Sequence, residues 1–289
     1  MIKVLLATTF RLSEIDCVID FLQEWKAEQN ISLMILVESS EYDRAGEAKR
    51  LLRSMANHLV IYRSSSDDTP KDEEKKKPPS LLNIIEALRS KSTHYDYVGY
   101  VNSDIELIRH NEFYSLVEEI DNLSKQAKAI FAHRRDYSTD YSIFRIYRQG
   151  LDLFMFPAQF IREMSLAPSL HLFRIGQVGW DYMLPLSITK EDIITTHALP
   201  LYHKIHKTGS NTNWSEAILS LLPQIHPSWT HSKPVGRAVL LCCSFLQDML
   251  MRAPLPQRIK VWLTSRFNYI SSRIIFYGVI ERLLLRGKC

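Results

Sequence analysis

Short apolar runs alternate with amphipathic helical patterns from the first residues of this chain, and no other feature limits its fold as strongly. Residues 3–9, 32–38 and 58–62 are rich in aliphatic and β-branched side chains, as buried strands are. Between them, residues 13–29 and 44–57 carry apolar side chains at helical spacing. Strands that alternate with helices predict an α/β sheet with right-handed connections, whose ligands lie at the carboxyl ends of its strands.

The same patterns continue further along the chain. Residues 64–80 are polar, mixed in charge and interrupted by prolines, which predicts a surface loop. The later predicted elements are helices at residues 80–89 and 112–126 and strands at residues 97–101, 129–132, 151–156 and 193–199. We predict two parts, namely an α/β domain over residues 1–216 and a helical, basic extension over residues 217–289.

The strand predicted at residues 97–101 leads directly into the sequence Asn-Ser-Asp-Ile-Glu-Leu. A carboxylate at the carboxyl end of a core strand is costly to dehydrate unless it meets a cation, a hydrogen-bond network or a ligand. Asp104 is therefore a candidate metal ligand, and the alternative is a solvated acidic turn. Glu106 lies two residues further on, where it is either a partner of that site or an exposed charge.

The positive charge of the chain is concentrated at its carboxyl end. Residues 233–289 contain ten Lys or Arg and two acidic residues, a net charge of +8, so the preceding residues, with 26 basic and 30 acidic side chains, carry −4. The tail has an apolar helical stripe of Ile259, Leu263, Phe267, Ile270 and Ile274. Arginines and aromatic residues flank this stripe, which suits an anionic membrane surface better than nucleic acid. Packing on the α/β domain or on a second subunit is the alternative.

Two further observations bear on the location of the protein. The four cysteines lack the spacing of a disulfide framework or of a zinc site, which favours reduced thiols. The first ten residues contain one lysine, a brief apolar run and no small-residue cleavage site, so they predict a strand rather than a secretion signal. We expect a cytoplasmic protein that the tail can bring to the cytoplasmic face of the inner membrane. A membrane-spanning helix is not expected, because charged residues interrupt every apolar window before it reaches the required length.

Four segments in a fixed order resemble bacterial glycosyltransferases of the GT-A nucleotide-sugar fold. They are Tyr-Val-Asn-Ser-Asp-Ile at residues 100–105, Gly-Leu-Asp-Leu-Phe-Met-Phe-Pro at residues 150–157, Ile-Gly-Gln-Val-Gly-Trp-Asp at residues 175–181, and a histidine-containing segment at residues 201–207. The resemblance covers about residues 1–216. It implies a GT-A-like, Rossmann-type mixed sheet flanked by helices, a nucleoside diphosphate sugar as donor, and Mn²⁺ or Mg²⁺ as cofactor.

In that family a DxD-type motif holds the divalent ion, and the matching positions here are Asn102 and Asp104. Asparagine replaces the first carboxylate, so Asp104 is the ionised ligand and Asn102 is expected to contact ribose or a metal-bound water. Mg²⁺ and Mn²⁺ favour oxygen ligands and keep several waters where phosphates supply the rest. The family's sheet usually ends with a histidine that completes the metal sphere. His203 and His206 are both candidates, and either is alternatively a structural or base-stacking residue.

The resemblance also implies residues for the sugar and the acceptor. Asp181 is the candidate base that takes a proton from the acceptor hydroxyl in an inverting reaction, with a helix N-cap as the alternative role. Trp180 offers a flat apolar face for a sugar ring. Asp152 is implied to form the floor of the sugar and acceptor pocket, and alternatively satisfies loop amides at the start of a strand.

The ends of the first two predicted strands are where the resemblance implies nucleoside contacts. Thr8, Thr9 and Arg11 lie at the end of the first strand, and Glu38 ends the second, where its carboxylate accepts a hydrogen bond from ribose. Ser103, between the two motif positions, is also assigned to donor binding.

Arg134 and Arg135 follow the strand predicted at residues 129–132. Paired guanidinium groups suit a diphosphate or an anionic acceptor, and the alternative is a surface pairing with Asp136 or Asp140. The chain contains no GxGxxG, GxxxxGK[ST] or GxSxG motif, which disfavours a dinucleotide fingerprint, a phosphate loop and a serine hydrolase.

These features together predict an enzyme, a metal-dependent, hexosyltransferase-like glycosyltransferase that moves a sugar from a nucleoside diphosphate sugar to a hydroxyl of a surface glycan or lipid-linked acceptor. Two alternatives stay open. A non-catalytic glycan- or membrane-binding protein on the same fold is compatible with the asparagine at position 102. A sugar-phosphate nucleotidyltransferase usually carries a glycine-rich basic loop after the first strand, and residues 8–13 contain no glycine.

Overall fold

A computed structural model gives the architecture of the chain. It describes residues 2–28, 30–63, 78–107, 116–125, 128–137, 144–147, 151–165, 170–171, 173–176, 180, 184, 193–196, 199–204, 259 and 263. Most of the described residues belong to the α/β domain predicted over residues 1–216.

The strands of the described residues form two sheets. They are β1 Val4–Thr9, β2 Ile31–Glu38, β3 His58–Tyr62, β4 Tyr97–Val101, β5 Glu106–Leu107, β6 Ala129–Ala132, β7 Arg134–Tyr137, β8 Phe144–Tyr147, β9 Leu153–Pro157, β10 Ile193–Thr196 and β11 Leu201–Lys204. The larger sheet has the order β3, β2, β1, β4, β9, β6, β10. Within it β9 runs antiparallel to both of its neighbours, and every other neighbouring pair is parallel.

Helices cover both faces of the larger sheet. They are α1 Ile15–Ala27, α2 Ser39–Arg44, α3 Ala48–Met55, α4 Leu81–Lys91, α5 Leu116–Ser124 and α6 Ala158–Glu163. Successive residues of β1 point to opposite faces, so Leu5 and Ala7 pack in one core with α4 and α6, while Val4 and Leu6 pack in another with α1, α3 and α5. The predicted mixed α/β sheet flanked by helices is confirmed.

The smaller sheet lies at the carboxyl end of the larger one. Its strand order is β5, β11, β7, β8, with β11 parallel to β7 and the other two pairs antiparallel. The chain passes from the larger sheet to the smaller one at His133, between β6 and β7, and this residue donates its backbone N–H to the Thr196 carbonyl at 2.9 Å. The smaller sheet therefore begins where β6 and β10 end.

The elements expected in the larger sheet are present, with ends shifted by a few residues. Helix α4 begins after Ser80, whose hydroxyl oxygen accepts a hydrogen bond from the Asn83 N–H at 3.2 Å, as an N-cap does. Arg134 and Arg135 follow the strand at residues 129–132, as predicted, and they open a further strand, β7, that was not predicted. Strands this short and polar have no apolar periodicity from which to predict them.

Two predicted features fall largely outside the described residues. They are most of the surface loop at residues 64–80 and the extension at residues 217–289. Ile259 and Leu263 of that extension have helical backbone, in keeping with their spacing on the predicted stripe. No helix in the described residues combines the length and the apolar content that crossing a membrane requires.

Candidate functional site

The predicted metal-binding motif lies on a turn that joins β4 of the larger sheet to β5 of the smaller one. The Ile105 N–H donates to the Asn102 carbonyl at 3.2 Å and closes this turn. Helix α1 holds it from behind, since the indole Nε1 of the fully buried Trp25 donates to the Ile105 carbonyl at 3.0 Å. Asp104 is thus carried on a short segment anchored at both ends.

Asp152 lies beside this turn because β9 is antiparallel to β4. The start of β9 therefore meets the carboxyl end of β4, and the Asn102 N–H donates to the Asp152 carbonyl at 3.0 Å. The side chains also meet, with Asn102 Nδ2 donating to Asp152 Oδ1 at 3.0 Å. Asp152 is only 3% exposed, so its carboxylate is part of the interior of the site.

Strands β7 and β11 add three polar side chains from the smaller sheet. Arg134 and Asp136 are two residues apart on β7 and so share one face, and Asp136 is in register with His203 on β11. Arg134 donates from Nε to Asp136 Oδ1 at 2.9 Å and from Nη1 to Asp152 Oδ1 at 2.7 Å. The predicted surface pairing of Arg134 with Asp136 is therefore a buried one, at a guanidinium only 17% exposed.

His203 is buried between two carboxylates. Its Nδ1 lies 3.2 Å from Asp136 Oδ1, and its Nε2 lies 3.3 Å from Asp104 Oδ2. The Asp104 side chain is 48% exposed, whereas those of Asp136 and His203 are buried. Of the two candidate histidines, His203 is the one that lies in the described residues, and it lies beside Asp104, which faces solvent.

The charges of this cluster shift one another's pKa values. Burial lowers the pKa of His203, but its hydrogen bonds to Asp104 and Asp136 outweigh this and raise it to about 9. Partial loss of hydration raises the pKa of Asp104, and the hydrogen bond and charge of His203 bring it below the usual range. Burial raises the pKa of Asp152 despite the charge of Arg134. Without a metal ion, His203 is therefore a cation that both flanking carboxylates stabilise near neutral pH.

The residues predicted to contact the nucleoside lie at the ends of β1 and β2, as expected, but several already have partners in the protein. The Thr9 hydroxyl donates to the Leu36 carbonyl at 3.0 Å. Glu38 caps α2, because its Oε2 accepts from the Ser40 N–H at 2.7 Å and from the Glu41 N–H at 3.2 Å. Arg11 is exposed at the start of the first helical turn.

Two residues predicted to bind substrate are placed differently from the expectation. Trp180 is 7% exposed and packs edge-on against Tyr100 and Phe154, with ring centroids 5.7 and 6.3 Å away. It is not an open platform for a sugar ring. Arg135 points to the opposite face of β7 from Arg134, where its Nη1 donates to the Tyr202 hydroxyl at 3.2 Å. The two arginines therefore do not form one clamp.

Three buried polar side-chain atoms in the described residues lack a hydrogen-bond partner: Thr8 Oγ1, the Tyr100 hydroxyl and Asp152 Oδ2. Burial, together with the charges of Asp104 and Asp152, raises the pKa of Tyr100 well above its usual value, so it stays a neutral phenol.

Two residues of the site were not predicted from the sequence, in which Tyr100 was only a strand residue and Asp136 only a surface partner. The two-residue spacing of Arg134 and Asp136 was the one available signal that both share a face.

Asp181 and His206 lie outside the described residues, so their predicted roles stay predictions. Ser103 is partly exposed on the turn beside Asp104. Glu106 accepts a hydrogen bond from the Tyr137 hydroxyl on the face of the smaller sheet that also carries Arg135.

Within the described residues, no group of three or more His, Cys, Asp or Glu is arranged to hold a metal ion. Asp104 and His203 supply at most two ligands.

No protein-family model and no curated protein sequence matches the chain significantly. Among solved structures, it is similar to S. aureus TarS, with 8% identity and a TM-score of 0.45 over 92% of this chain, and it spans 43% of that protein's length. It is also similar to S. aureus TarS 1-349 in complex with UDP-GlcNAc, with 8% identity, a TM-score of 0.47, and 96% and 91% of the two chains covered. For the UDP complex the identity is 9% and the TM-score 0.44, over the same shares. Likenesses this distant carry no weight for the function of this chain.

Proposed function

We propose that this protein is a divalent-metal-dependent glycosyltransferase. It transfers a sugar from a nucleoside diphosphate sugar to a hydroxyl group of a surface glycan or of a lipid-linked acceptor. The observation that carries this proposal is the half-exposed carboxylate of Asp104 at the carboxyl end of the central strand β4, with the ring nitrogen Nε2 of His203 at 3.3 Å. Ligands of open α/β sheets bind at this edge.

The residues present fit a Mg²⁺ or Mn²⁺ ion that is held only partly by protein. Two neighbouring ligand atoms of an octahedral ion with bonds of roughly 2.1 Å are about 3 Å apart. The separation of Asp104 Oδ2 and His203 Nε2 is similar, at 3.3 Å. The other ring nitrogen of His203, Nδ1, is hydrogen-bonded to Asp136. A carboxylate commonly accepts this second hydrogen bond from a histidine that binds metal. An ion with so few protein ligands takes the rest from water and from the donor's phosphates, and when bound it stabilises the departing diphosphate.

The asparagine at position 102 has a structural role that is compatible with the proposed function. Its amide Nδ2 donates to Asp152 Oδ1 at 3.0 Å, and a carboxylate at this position has no hydrogen to donate. Aspartate would also place a second negative charge beside a carboxylate that is already buried. Asparagine at position 102 is therefore explained by the local hydrogen bonding.

The remaining roles follow from the chemistry of the transfer. Asp181 is the proposed base that accepts the proton of the acceptor hydroxyl. Thr8 and Thr9 lie at the end of β1 and are proposed to line the nucleoside end of the site, although the Thr8 hydroxyl is buried and the Thr9 hydroxyl donates to the Leu36 carbonyl. The basic extension is proposed to bring the domain to an anionic membrane surface, where lipid-linked acceptors lie.

Nucleotide binding with and without metal tests this function. We expect one nucleoside diphosphate, in a panel of UDP, GDP, ADP, CDP and dTDP, to raise the melting temperature of the protein only when Mn²⁺ is present. Binding at one hundred times Kd stabilises a protein by about 2.7 kcal/mol. Asp104→Asn should abolish the metal-dependent rise, and Asp20→Asn, which removes the same charge from an exposed position on α1, should keep it.

Turnover separates an enzyme from a binding protein. The parent chain should hydrolyse the matching nucleoside diphosphate sugar slowly in the presence of Mn²⁺ and without acceptor, and Asp104→Asn should not. Metal-dependent binding without any hydrolysis would instead indicate the non-catalytic alternative. Equal and negligible thermal shifts for every nucleotide would contradict the proposed function altogether.

A further inference from the structure

The polar side chains of the candidate site form a closed path of hydrogen bonds and ion pairs. The path leaves the turn after β4 at Asn102 and returns to the same turn at Asp104. Its members, in order of contact, are Asn102, Asp152, Arg134, Asp136, His203 and Asp104. Each contact along it is between 2.7 and 3.3 Å.

Arg134 lies on β7 of the smaller sheet, and its side chain joins that sheet to the larger one through Asp152 while also holding Asp136 on its own strand. Asp152 lies at the entry to β9 in the larger sheet, whereas Asp136 lies on β7 in the smaller sheet. The guanidinium of Arg134 donates to both carboxylates, from Nη1 at 2.7 Å and from Nε at 2.9 Å. Both aspartates are 3% exposed, so two negative charges are buried around one positive group.

The two carboxylates in turn orient the residues that face the ligand. Asp152 Oδ1 accepts from the Asn102 amide, and Asp136 Oδ1 lies 3.2 Å from His203 Nδ1, on the opposite side of the imidazole from Asp104. A change in the position of Arg134 therefore reaches both ends of the turn that carries Asp104. Partners of this kind fix the orientation of metal-ligating histidines.

We propose that Arg134 is a positioning residue that sets His203 and Asn102 relative to Asp104 by holding Asp136 and Asp152 together. This inference rests on the proposed function for its consequence in catalysis, but the geometry it describes exists without substrate. It differs from the role expected from sequence, in which Arg134 grips the donor diphosphate. A planar guanidinium presents two donors in a fixed fork, whereas a lysine ammonium is a point charge on a flexible stem.

The test compares Arg134→Gln and Arg134→Lys with a matched control, Arg89→Gln. Arg89 is also a partly buried arginine with two hydrogen bonds, from Nε to the Ile161 carbonyl at 3.0 Å and from Nη2 to the Met164 carbonyl at 2.6 Å. Its bonds join α4 to the end of α6, away from the path through the site. Loss of stability alone should therefore be comparable in the two glutamine variants, while effects on the site should be confined to Arg134.

The first measurement is NMR of ¹⁵N-histidine-labelled protein at fixed neutral pH, without metal and without nucleotide. The ring N–H signals of His203 are identified by their absence in His203→Gln. We expect Arg134→Gln to shift or broaden these signals, Arg134→Lys to have an intermediate effect, and Arg89→Gln to leave them as in the parent. Should the glutamine variant not fold, the lysine variant, which keeps the charge and nearly the size, provides the comparison.

The second measurement is Mn²⁺ affinity, read from the EPR signal of the free ion. Loss of a residue that orients a metal ligand typically costs about 10- to 100-fold in affinity, and we expect a loss in that range for Arg134→Gln. Unchanged His203 signals together with unchanged Mn²⁺ affinity would overturn the inference. Unchanged His203 signals with weaker binding of the nucleoside diphosphate that the panel identifies would also overturn it, in favour of direct contact with the diphosphate. If the parent binds neither Mn²⁺ nor any nucleoside diphosphate of the panel, the proposed function fails, and the NMR comparison still decides whether Arg134 positions His203.

Discussion

The carboxylate of Glu38 caps helix α2, although the sequence predicted a contact with the nucleoside at this position. It ends β2, at the edge of the sheet where nucleosides bind in the family that the sequence resembles. Its oxygens accept hydrogen bonds from the backbone N–H groups of Ser40 and Glu41 and from the hydroxyls of Ser39 and Ser40. Burial raises the pKa of Glu38, but these hydrogen bonds outweigh it and hold the pKa below its usual value.

We predict that Glu38→Gln makes the stability of the protein less sensitive to acid. A group with a lowered folded-state pKa contributes stability that is fully present above its unfolded value near 4.5 and is lost as the pH falls through the folded value. The variant should lose about 0.5–2 kcal/mol at pH 7, as expected for a helix cap, and the gap should close below pH 4.5. Urea unfolding of both proteins between pH 3.5 and 7 measures this, and a gap independent of pH would contradict it.

At the scale of elements, the direction of β9 decides the composition of the site. A strand parallel to β4 would place Asp152 at the opposite edge of the sheet, far from Asn102. The antiparallel pairing instead puts Gly99 of β4 opposite Met155 of β9. A Cβ atom at Gly99 would come within 2.3 Å of the Phe154 carbonyl oxygen and 2.8 Å of the Met155 sulfur, so the two strands approach at a distance that only glycine allows.

We therefore predict that Gly99→Ala destabilises the protein and disturbs the site. The added methyl group must push β9 away from β4, which typically costs about 1–3 kcal/mol in a well-packed core, and Asp152 moves with β9. The change in the free energy of unfolding from urea titration measures the first effect, and the Mn²⁺-dependent nucleotide shift measures the second. Gly46→Asn is the control, because Gly46 has open space around it and a positive φ that asparagine tolerates. Equal stability of the Gly99 variant and the parent would show that the strands are not so closely packed.

At the scale of the whole molecule, charge divides the chain into two unlike parts. The tail from residue 233 carries +8 and the preceding part −4. The proposed attraction to anionic lipid would therefore come from one end of the chain, and it would act within a Debye length of about 8 Å at physiological salt.

We predict that the 289-residue chain binds phosphatidylglycerol vesicles and that added salt weakens this binding. Replacing Arg258, Arg266 and Arg273 by glutamate should abolish it, since each basic residue near an anionic surface contributes about 1 kcal/mol. Cosedimentation with vesicles measures the binding, and phosphatidylcholine vesicles are the control. Undiminished binding of the triple variant would contradict the electrostatic explanation, and no binding by the parent would favour packing of the tail on protein.

Much of the larger sheet could be predicted from the sequence because its signal is local. Residues 3–9 and 97–101 are nearly continuous apolar runs, since strands covered by helices on both faces exclude polar side chains. Asp104 could be singled out for the same reason, as a carboxylate directly after such a strand. Trp180 shows the limit of this reasoning: an aromatic residue in a loop looks the same in sequence whether it meets a sugar or packs in the core.

The sequence by itself determined the kind of fold and the positions of the buried strands, and it named Asp104 and two histidines, His203 and His206, as candidate ligands. Only the tertiary structure decided the direction of β9, the existence of the smaller sheet and the central place of Arg134. The physical reason is the distance along the chain over which each kind of information acts. Periodicity records which face of an element is buried, but the contacts of Arg134 with Asp152 and of His203 with Asp104 join residues distant in the chain, and such contacts form only when whole strands have been placed beside one another.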